Sequence, residues 1–177
     1  NCTALTEIEI PSSVTKIGED AFKNCSNLEK LTLNEGLKTI GANSFQGTKI
    51  SSVNIPSTLT AVNMPSYDDH GPFYKSTTLK EVTIADNAAI IPDYLFENCN
   101  GLETIDIRSA DGTSGKSAVG SCANRTEIEI PSSVTSIDRA AFSKTNLTEI
   151  EIPSSVTNIG CDAFYYCTSL EKLTLNE

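Results

Sequence analysis

The chain has 177 residues, the usual size of one domain, and 38% of them are hydrophobic, an ordinary globular composition that argues against disorder. Its 13 Lys and Arg against 23 Asp and Glu give a net charge of −10, which would repel a phosphate backbone and argues against nucleic acid as a partner. No stretch approaches the roughly 18 apolar residues that span a bilayer, so we predict no membrane insertion.

An internal repeat dominates the sequence. The string TEIEIPSSVT begins at Thr6, Thr126 and Thr148, and LEKLTLNE begins at Leu28 and Leu170. Phenylalanines mark the same phase about every 23 residues: Phe22, Phe45, Phe73, Phe96, Phe142 and Phe164. A fixed period of this length is typical of a solenoid, in which each unit stacks on its neighbours.

The repeat divides the chain into seven units and part of an eighth. They begin at Asn1, Asn24, Gly47, Lys75, Asn98, Ser121, Lys144 and Tyr166. The interval from Phe96 to Phe142 fits two units, with Val119 at the phenylalanine position of the fifth, and the third unit contains an insert. We expect a single solenoid domain over residues 1–177. Because neither end carries an atypical capping unit, we also expect a fragment of a longer array.

Each unit starts with a predicted β-strand. In the first unit Leu5, Ile8 and Ile10 precede Pro11, whose missing N–H would end a ladder. The second half carries Val, Ile and an Ala-Phe pair at spacings of three to four, which predicts a short helical or 3₁₀ turn. The units should therefore stack a parallel sheet on one side and short turns on the other.

The outward strand positions are the predicted binding residues. Stacking the sixth unit on the seventh sets Glu127 beside Glu149 and Glu129 beside Glu151, about 5 Å apart. Such carboxylates could bind a basic protein surface or a cation; alternatively, they keep an exposed face solvated and discourage aggregation. The candidate ligand-binding positions on this face are Glu7, Glu9, Lys30, Thr32, Glu81, Thr83, Asp106, Glu127, Glu129, Glu149 and Glu151.

The six cysteines do not form an evident metal site. Cys161 stands apart from the repeat phase. The other five share the second position of a unit: Cys2, Cys25, Cys99, Cys122 and Cys167. A series in one phase predicts free thiols that pack as small buried residues, although two neighbouring pairs could be bridged, Cys2 with Cys25 and Cys99 with Cys122. Zinc ligands must converge on one point, and these cysteines do not, so we predict no metal.

Two further motifs invite a chemical interpretation. Residues 110–117 fit a relaxed phosphate-loop pattern with Ala110 in the first Gly position, but the next unit leaves no room for the helix that would bind phosphate, so we predict a surface loop. His70 lies beside Asp68 and Asp69 in the third-unit insert, which favours a polar loop, with cation binding as the alternative. Because no acid, base and nucleophile converge, we predict no catalytic residue, no cofactor and no enzyme activity.

The whole pattern resembles a known repeat family. The consensus L-x-x-I-x-I-P-x-x-V-x-x-I-G-x-x-A-F-x-x-C, present over essentially the whole chain, is similar to the BspA-like, or treponemal-type, leucine-rich repeat. Arg125 in place of a strand Leu, the fifth unit and the third-unit insert depart from the pattern and should be irregular.

The resemblance implies an α/β leucine-rich-repeat solenoid, with a curved parallel β-sheet on the concave face and short helical or 3₁₀ turns on the convex face. It also implies a secreted or cell-surface, adhesin-type scaffold that binds host, matrix or other cell-surface proteins. The alternative is a structural spacer that presents another domain and has no ligand of its own. We expect a monomer that can make end-to-end contacts through its uncapped ends.

Overall fold

The computed structural model describes residues 1–66, 69–85, 87–102, 104–108, 127–130 and 132–176, and for 104–108 and 127–129 it describes the backbone alone. Within these ranges the chain is a parallel β-solenoid. A unit contributes one longer strand, in most cases one shorter strand, and a tight turn that leads to the next unit.

The longer strands stack side by side and form what we call the long-strand ladder. They are β1 (Glu7–Ile10), β3 (Lys30–Leu33), β5 (Ser52–Ile55), β7 (Glu81–Ala85), β9 (Thr104–Arg108), β10 (Glu127–Glu129), β12 (Glu149–Ile152) and β14 (Lys172–Leu175). Hydrogen bonds join β1 to β3, and separately join β5, β7, β9, β10, β12 and β14 in that order. β3 lies beside β5, but no ladder of hydrogen bonds links these two described strands.

The shorter strands form a second parallel stack, the short-strand ladder. They are β2 (Lys16–Ile17), β4 (Thr39–Gly41), β6 (Ala61–Asn63), β8 (Ile90–Ile91), β11 (Ser136–Ile137) and β13 (Asn158–Ile159). This ladder also falls into two parts, β2-β4-β6 and β8-β11-β13. The first part belongs to units one to three and the second to units four, six and seven.

The expected helical or 3₁₀ turns are wrong, because the described residues contain no helix. Two positions in the turn of a unit adopt positive φ, a conformation that a right-handed helix cannot include. Non-glycine residues at positive φ are Asp20, Asn24, Asn43, Lys75, Tyr94, Asn98, Ala140, Lys144, Asp162 and Tyr166. The turn amides bond instead to the next unit, as from the Phe22 N–H to the Ser44 carbonyl at 2.8 Å. We call this set of bonds the turn ladder.

A column of aromatic rings fills the space between the ladders. Phe45, Phe73, Phe96 and Phe142 are at most 1% exposed. The ring centroids of Phe45 and Phe73 are 5.3 Å apart, and those of Phe96 and Phe142 are 6.0 Å apart, within the range of stacked aromatic pairs. Inward Leu, Ile and Val side chains of both ladders pack around this column. The phenylalanines that mark the sequence repeat therefore form the centre of the hydrophobic core.

The fifth unit is irregular, as predicted, but in an unexpected way. β9 takes its place between β7 and β10 in the long-strand ladder, whereas β8 pairs directly with β11 in the short-strand ladder. The Phe96 N–H likewise donates to the Ala141 carbonyl at 3.2 Å. Val119, at the phenylalanine position of the fifth unit, lies outside the described residues, and the Phe96 ring stacks on the Phe142 ring.

The shared cysteine position has a structural explanation. The Cys99 thiol is fully buried and donates to the Phe73 carbonyl at 3.3 Å, and the Cys167 thiol donates to the Phe142 carbonyl at 3.1 Å. Burial raises the pKa of the Cys99 thiol, with a further contribution from Glu97, so the thiol stays protonated and able to donate. The described cysteines are all free. Within the same-phase series Cys25 and Cys99 are buried as predicted, whereas Cys167 is half-buried and Cys2 is exposed. Cys122 lies outside the described residues.

Candidate protein-binding face

Alternation along the long strands separates core residues from a polar outer face. In β3 the side chains of Leu31 and Leu33 are buried, whereas Lys30 and Thr32 between them are exposed. In β7 the same pattern buries Val82 and Ile84. We call the solvent-facing side of the long-strand ladder the outer sheet face. The predicted positions with described side chains lie on it, Thr83 and Glu149 half-exposed and the others exposed: Glu7, Glu9, Lys30, Thr32, Glu81, Thr83, Glu149 and Glu151.

The outer sheet face carries paired charges at its first two strands. Glu7 is in register with Lys30, and the Lys30 Nζ lies 3.8 Å from the Glu7 Oε2. Glu9 accepts a hydrogen bond from the Asn34 side-chain amide at 2.9 Å. Both members of the ion pair are more than two-thirds exposed, so the pair adds little stability and remains available to a partner.

The last two strands repeat this arrangement. Lys172 is in register with Glu149, with 3.8 Å between the Lys172 Nζ and the Glu149 Oε2, and the Asn176 amide donates to Glu151. The sequence analysis placed Glu149 and Glu151 on this face but missed Lys172. The string LEKLTLNE carries the missed signal, because it puts Lys172 where Lys30 lies in the second unit.

The predicted acidic register is present in the backbone. Glu127 pairs with Glu149, and Glu129 pairs with Glu151, as the Cα partners of β10 and β12. Asp106 is in register with Thr83 on the neighbouring pair of strands. The side chains of Glu127, Glu129 and Asp106 lie outside the description, so their charges are placed by register alone. Ser52 and Asn54 of β5 also lie on the face and were not predicted.

One edge of the molecule holds a carboxylate that binds backbone. Glu35 accepts hydrogen bonds from the Ser57 N–H, the Ser57 hydroxyl and the Thr58 N–H at 2.9, 2.9 and 3.3 Å. Burial favours a higher pKa for this carboxyl, but the hydrogen bonds from Ser57 and Thr58 outweigh it and lower the pKa below its ordinary value of 4.5. Glu35 is thus a structural bridge between the second and third units.

His70 has partners that the sequence did not reveal. Its ring stacks on Tyr74, with 3.6 Å between centroids, and its Nδ1 lies 3.4 Å from the Oε2 of the buried Glu97. The third-unit insert is therefore polar, as predicted, but it also packs on the fourth unit through the contact of His70 with Glu97. Glu97 lies 27 positions from His70 in the sequence, and only the stacking of units brings them together.

A second group lies on the neighbouring turns. Arg139 lies over the Tyr94 ring at 5.8 Å, and its N–H donates to Asp93 at 2.9 Å. Burial raises the pKa of Asp93, with Asp138 adding to the effect and Arg139 opposing it, and burial likewise raises the pKa of Tyr94. These contacts join units four and six.

Several predicted features lie outside the described residues, namely the phosphate-loop-like segment 110–117, Arg125 and Asp68. In the part of the chain that is described, no group of three or more His, Cys, Asp or Glu is arranged to hold a metal ion. No helix among the described residues is long and apolar enough to cross a membrane.

The repeat pattern and its register match one known family. The model of the BspA type leucine rich repeat region matches residues 1–69 and 69–171, in six copies. The chain belongs to the BspA-type leucine-rich repeat family. The match confirms the resemblance predicted from the consensus. No curated protein matches this leucine-rich repeat chain.

Two solved structures resemble this BspA-type chain. A leucine rich cell surface protein from Faecalibacterium prausnitzii A2-165 is 27% identical, with a TM-score of 0.58 over 97% of this chain and 39% of that chain. A leucine-rich repeat protein from Bacteroides ovatus ATCC 8483 is 25% identical, with a TM-score of 0.50 over 99% of this chain and 56% of that chain. The BspA-type chain therefore spans about 39% and 56% of the length of these two relatives.

Proposed function

We propose that this chain is a non-enzymatic, protein-binding part of an extracellular or cell-surface protein, and that the outer sheet face makes the contact. The observation that carries the proposal is the alternation of the long strands. Their inward side chains form the core, whereas their outward side chains are polar, exposed and unnecessary for packing. Repeat proteins use such extended surfaces to bind partners.

Relatives support the location. The F. prausnitzii protein is a leucine rich cell surface protein, and its similar fold favours the same placement for this chain. Adhesion to host, matrix or other cell-surface proteins is the function that fits an outward-facing repeat array of this kind.

Charge on the outer sheet face defines the partner more narrowly. Glutamates occupy both outward positions of β1, β10 and β12, and the register brings four of them together where β10 meets β12. Lysines are fewer and lie at β3 and β14, on the strands next to glutamates. A partner that presents Arg or Lys toward β10 and β12 would complement this face.

Binding of immobilised chain to a panel of extracellular-matrix and serum proteins tests the proposal, at 50 mM and 500 mM salt. The diagnostic variant is Glu149→Gln/Glu151→Gln, and the matched control is Glu19→Gln/Asp162→Asn, which removes two exposed charges from the turns. We expect saturable binding that weakens at high salt, that falls at least about fivefold in the sheet variant and that is unchanged in the control.

Two results would contradict the proposal. Binding that the sheet variant leaves intact would place the contact elsewhere on the molecule. Absence of saturable binding across the panel would favour the spacer, in which the repeats present another domain and bind nothing themselves.

A further inference from the structure

We propose that the junction between units three and four is a hinge, whose axis is the long-strand ladder and whose closed state is held by the buried carboxylate of Glu97. The hinge is a property of the solenoid itself. It does not depend on the outer sheet face having a partner.

Three kinds of contact stop at this junction: the short-strand ladder, the aromatic column and the turn ladder. The short-strand ladder ends at β6 and resumes at β8, with no pairing between these two described strands. The aromatic column is interrupted as well, because Phe73 stacks on Phe45 and Phe96 stacks on Phe142, but no stacking joins Phe73 to Phe96. The insert of the third unit lies at the same place in the sequence.

The turn ladder is the third contact to be interrupted. Between the first two turns, the N–H groups of Asp20, Phe22 and Asn24 donate to carbonyls of the following turn, residues 42–46, at 3.0, 2.8 and 2.7 Å. The corresponding amides, Phe73 at the end of unit three and Lys75 at the start of unit four, donate to no backbone carbonyl of the next turn, residues 92–98. The turns on the two sides of this junction are therefore not bonded through their backbones.

The long-strand ladder, in contrast, continues through the junction. β5 and β7 pair over four residues each, from Ser52 with Glu81 to Ile55 with Ile84. A solenoid that is bonded along one edge and interrupted along the others can open only by rotation about the bonded edge.

Glu97 bridges the interrupted side. Its carboxylate accepts the Gly71 N–H at 3.2 Å and lies 3.4 Å from the His70 Nδ1, while its side chain is 9% exposed. A buried carboxylate needs partners of this kind, because an unpaired charge away from water is strongly unfavourable. Together with the Cys99 thiol, which donates to the Phe73 carbonyl at 3.3 Å, this side chain therefore takes the place of the missing backbone bonds of the turn ladder.

Gly71 sets how closely the two turns approach. A Cβ on Gly71 would lie 1.9 Å from the Tyr94 carbonyl oxygen, across the junction, so any side chain here would act as a wedge. The backbone of Gly71 is not in the left-handed region, so alanine adds only this collision. Gly18 in the first unit provides the matched control, because a Cβ there meets nothing within 4 Å.

Hydrogen exchange followed by mass spectrometry tests the hinge on the full chain. In the unmodified protein we expect amides of residues 70–76 to exchange at least about tenfold faster than those of residues 18–25. Gly71→Ala should accelerate exchange in 70–76 by a further factor of about ten while leaving 18–25 unchanged, and Gly18→Ala should change neither segment.

Glu97→Ala provides a second, independent variant if Gly71→Ala does not fold. It should accelerate exchange in 70–76 and spare residues 18–25. Equal protection of the two segments in the unmodified protein would overturn the hinge. So would acceleration by the same factor throughout the chain in either variant, because the solenoid would then open as one unit.

Discussion

The direct contact between units four and six can be measured by a double-mutant cycle at Phe96 and Phe142. Their rings lie 6.0 Å apart with an interplanar angle of 23°. A pair with this geometry contributes about 0.5–1.5 kcal/mol beyond the area it buries, and that is the coupling energy we expect. If a complete fifth layer separated the rings, they would lie about 10 Å apart, two strand spacings, and would not touch.

The cycle compares Phe96→Leu, Phe142→Leu, the double variant and the unmodified protein by urea unfolding. Each single change should lower the free energy of unfolding by about 1–3 kcal/mol. The double change should lower it by less than the sum of the two single effects, and the difference is the coupling energy. Phe45→Leu with Phe142→Leu is the matched control, because these fully buried rings belong to units two and six and should be additive within about 0.5 kcal/mol. Coincident transitions by two probes and an unchanged m-value are required, since repeat arrays can unfold in parts.

Additivity of Phe96→Leu and Phe142→Leu would refute the reasoning. It would mean that these rings do not touch, and that another side chain lies between them in the aromatic column.

Three further predictions concern Lys144, Glu35 and the cysteines. Lys144→Gly should stabilise the chain by about 0.5–1 kcal/mol in thermal unfolding, because Lys144 has a φ of 57°, a backbone conformation that glycine adopts without strain. A loss of stability would show that the Lys144 side chain contributes more than its strained backbone costs. Glu35→Gln should cost up to about 1 kcal/mol at pH 7, discounted for its exposure, because hydrogen bonds from Ser57 and Thr58 lower the pKa of Glu35. That stabilisation is complete above pH 4.5 and is lost as the pH falls through the lowered pKa, so melting temperatures of the two proteins should converge in acid, and a constant difference would contradict the assignment. A thiol reagent should label the exposed Cys2 and Cys161 of the folded protein quickly, and the buried Cys25 and Cys99 only after unfolding. Equal labelling rates for the two pairs would disprove this order.

The sequence predicts the parts of this fold that repeat. The phenylalanine phase gives the aromatic column, and the alternation of Ile8 and Ile10 with Glu7 and Glu9 gives the strand and its outward residues. The register of Glu127 with Glu149 follows from aligning identical strings, and the backbone confirms it.

The remaining features depend on contacts between units, which local spacing does not encode. Ile17 and Ala21 have helix-like spacing, yet the backbones of Ile17 and Phe22 bond to the second unit rather than within a helix. His70 gives no indication of its contact with Glu97, because that contact arises from the stacking of two units. The omission of the fifth unit from the short-strand ladder likewise shows only when the partners of β8 are known.

The fifth unit also sets the direction in which the molecule bends. One extra strand lengthens the long-strand side by about 4.8 Å at this point, whereas the short-strand side passes directly from unit four to unit six. Two sheets packed about 10 Å apart then enclose a wedge of about 25°, with its wide end on the outer sheet face. We therefore expect the solenoid axis to turn away from that face here, so that β9 lies on the crest of an outward bend and β12 of unit seven faces a different direction from β1 of unit one.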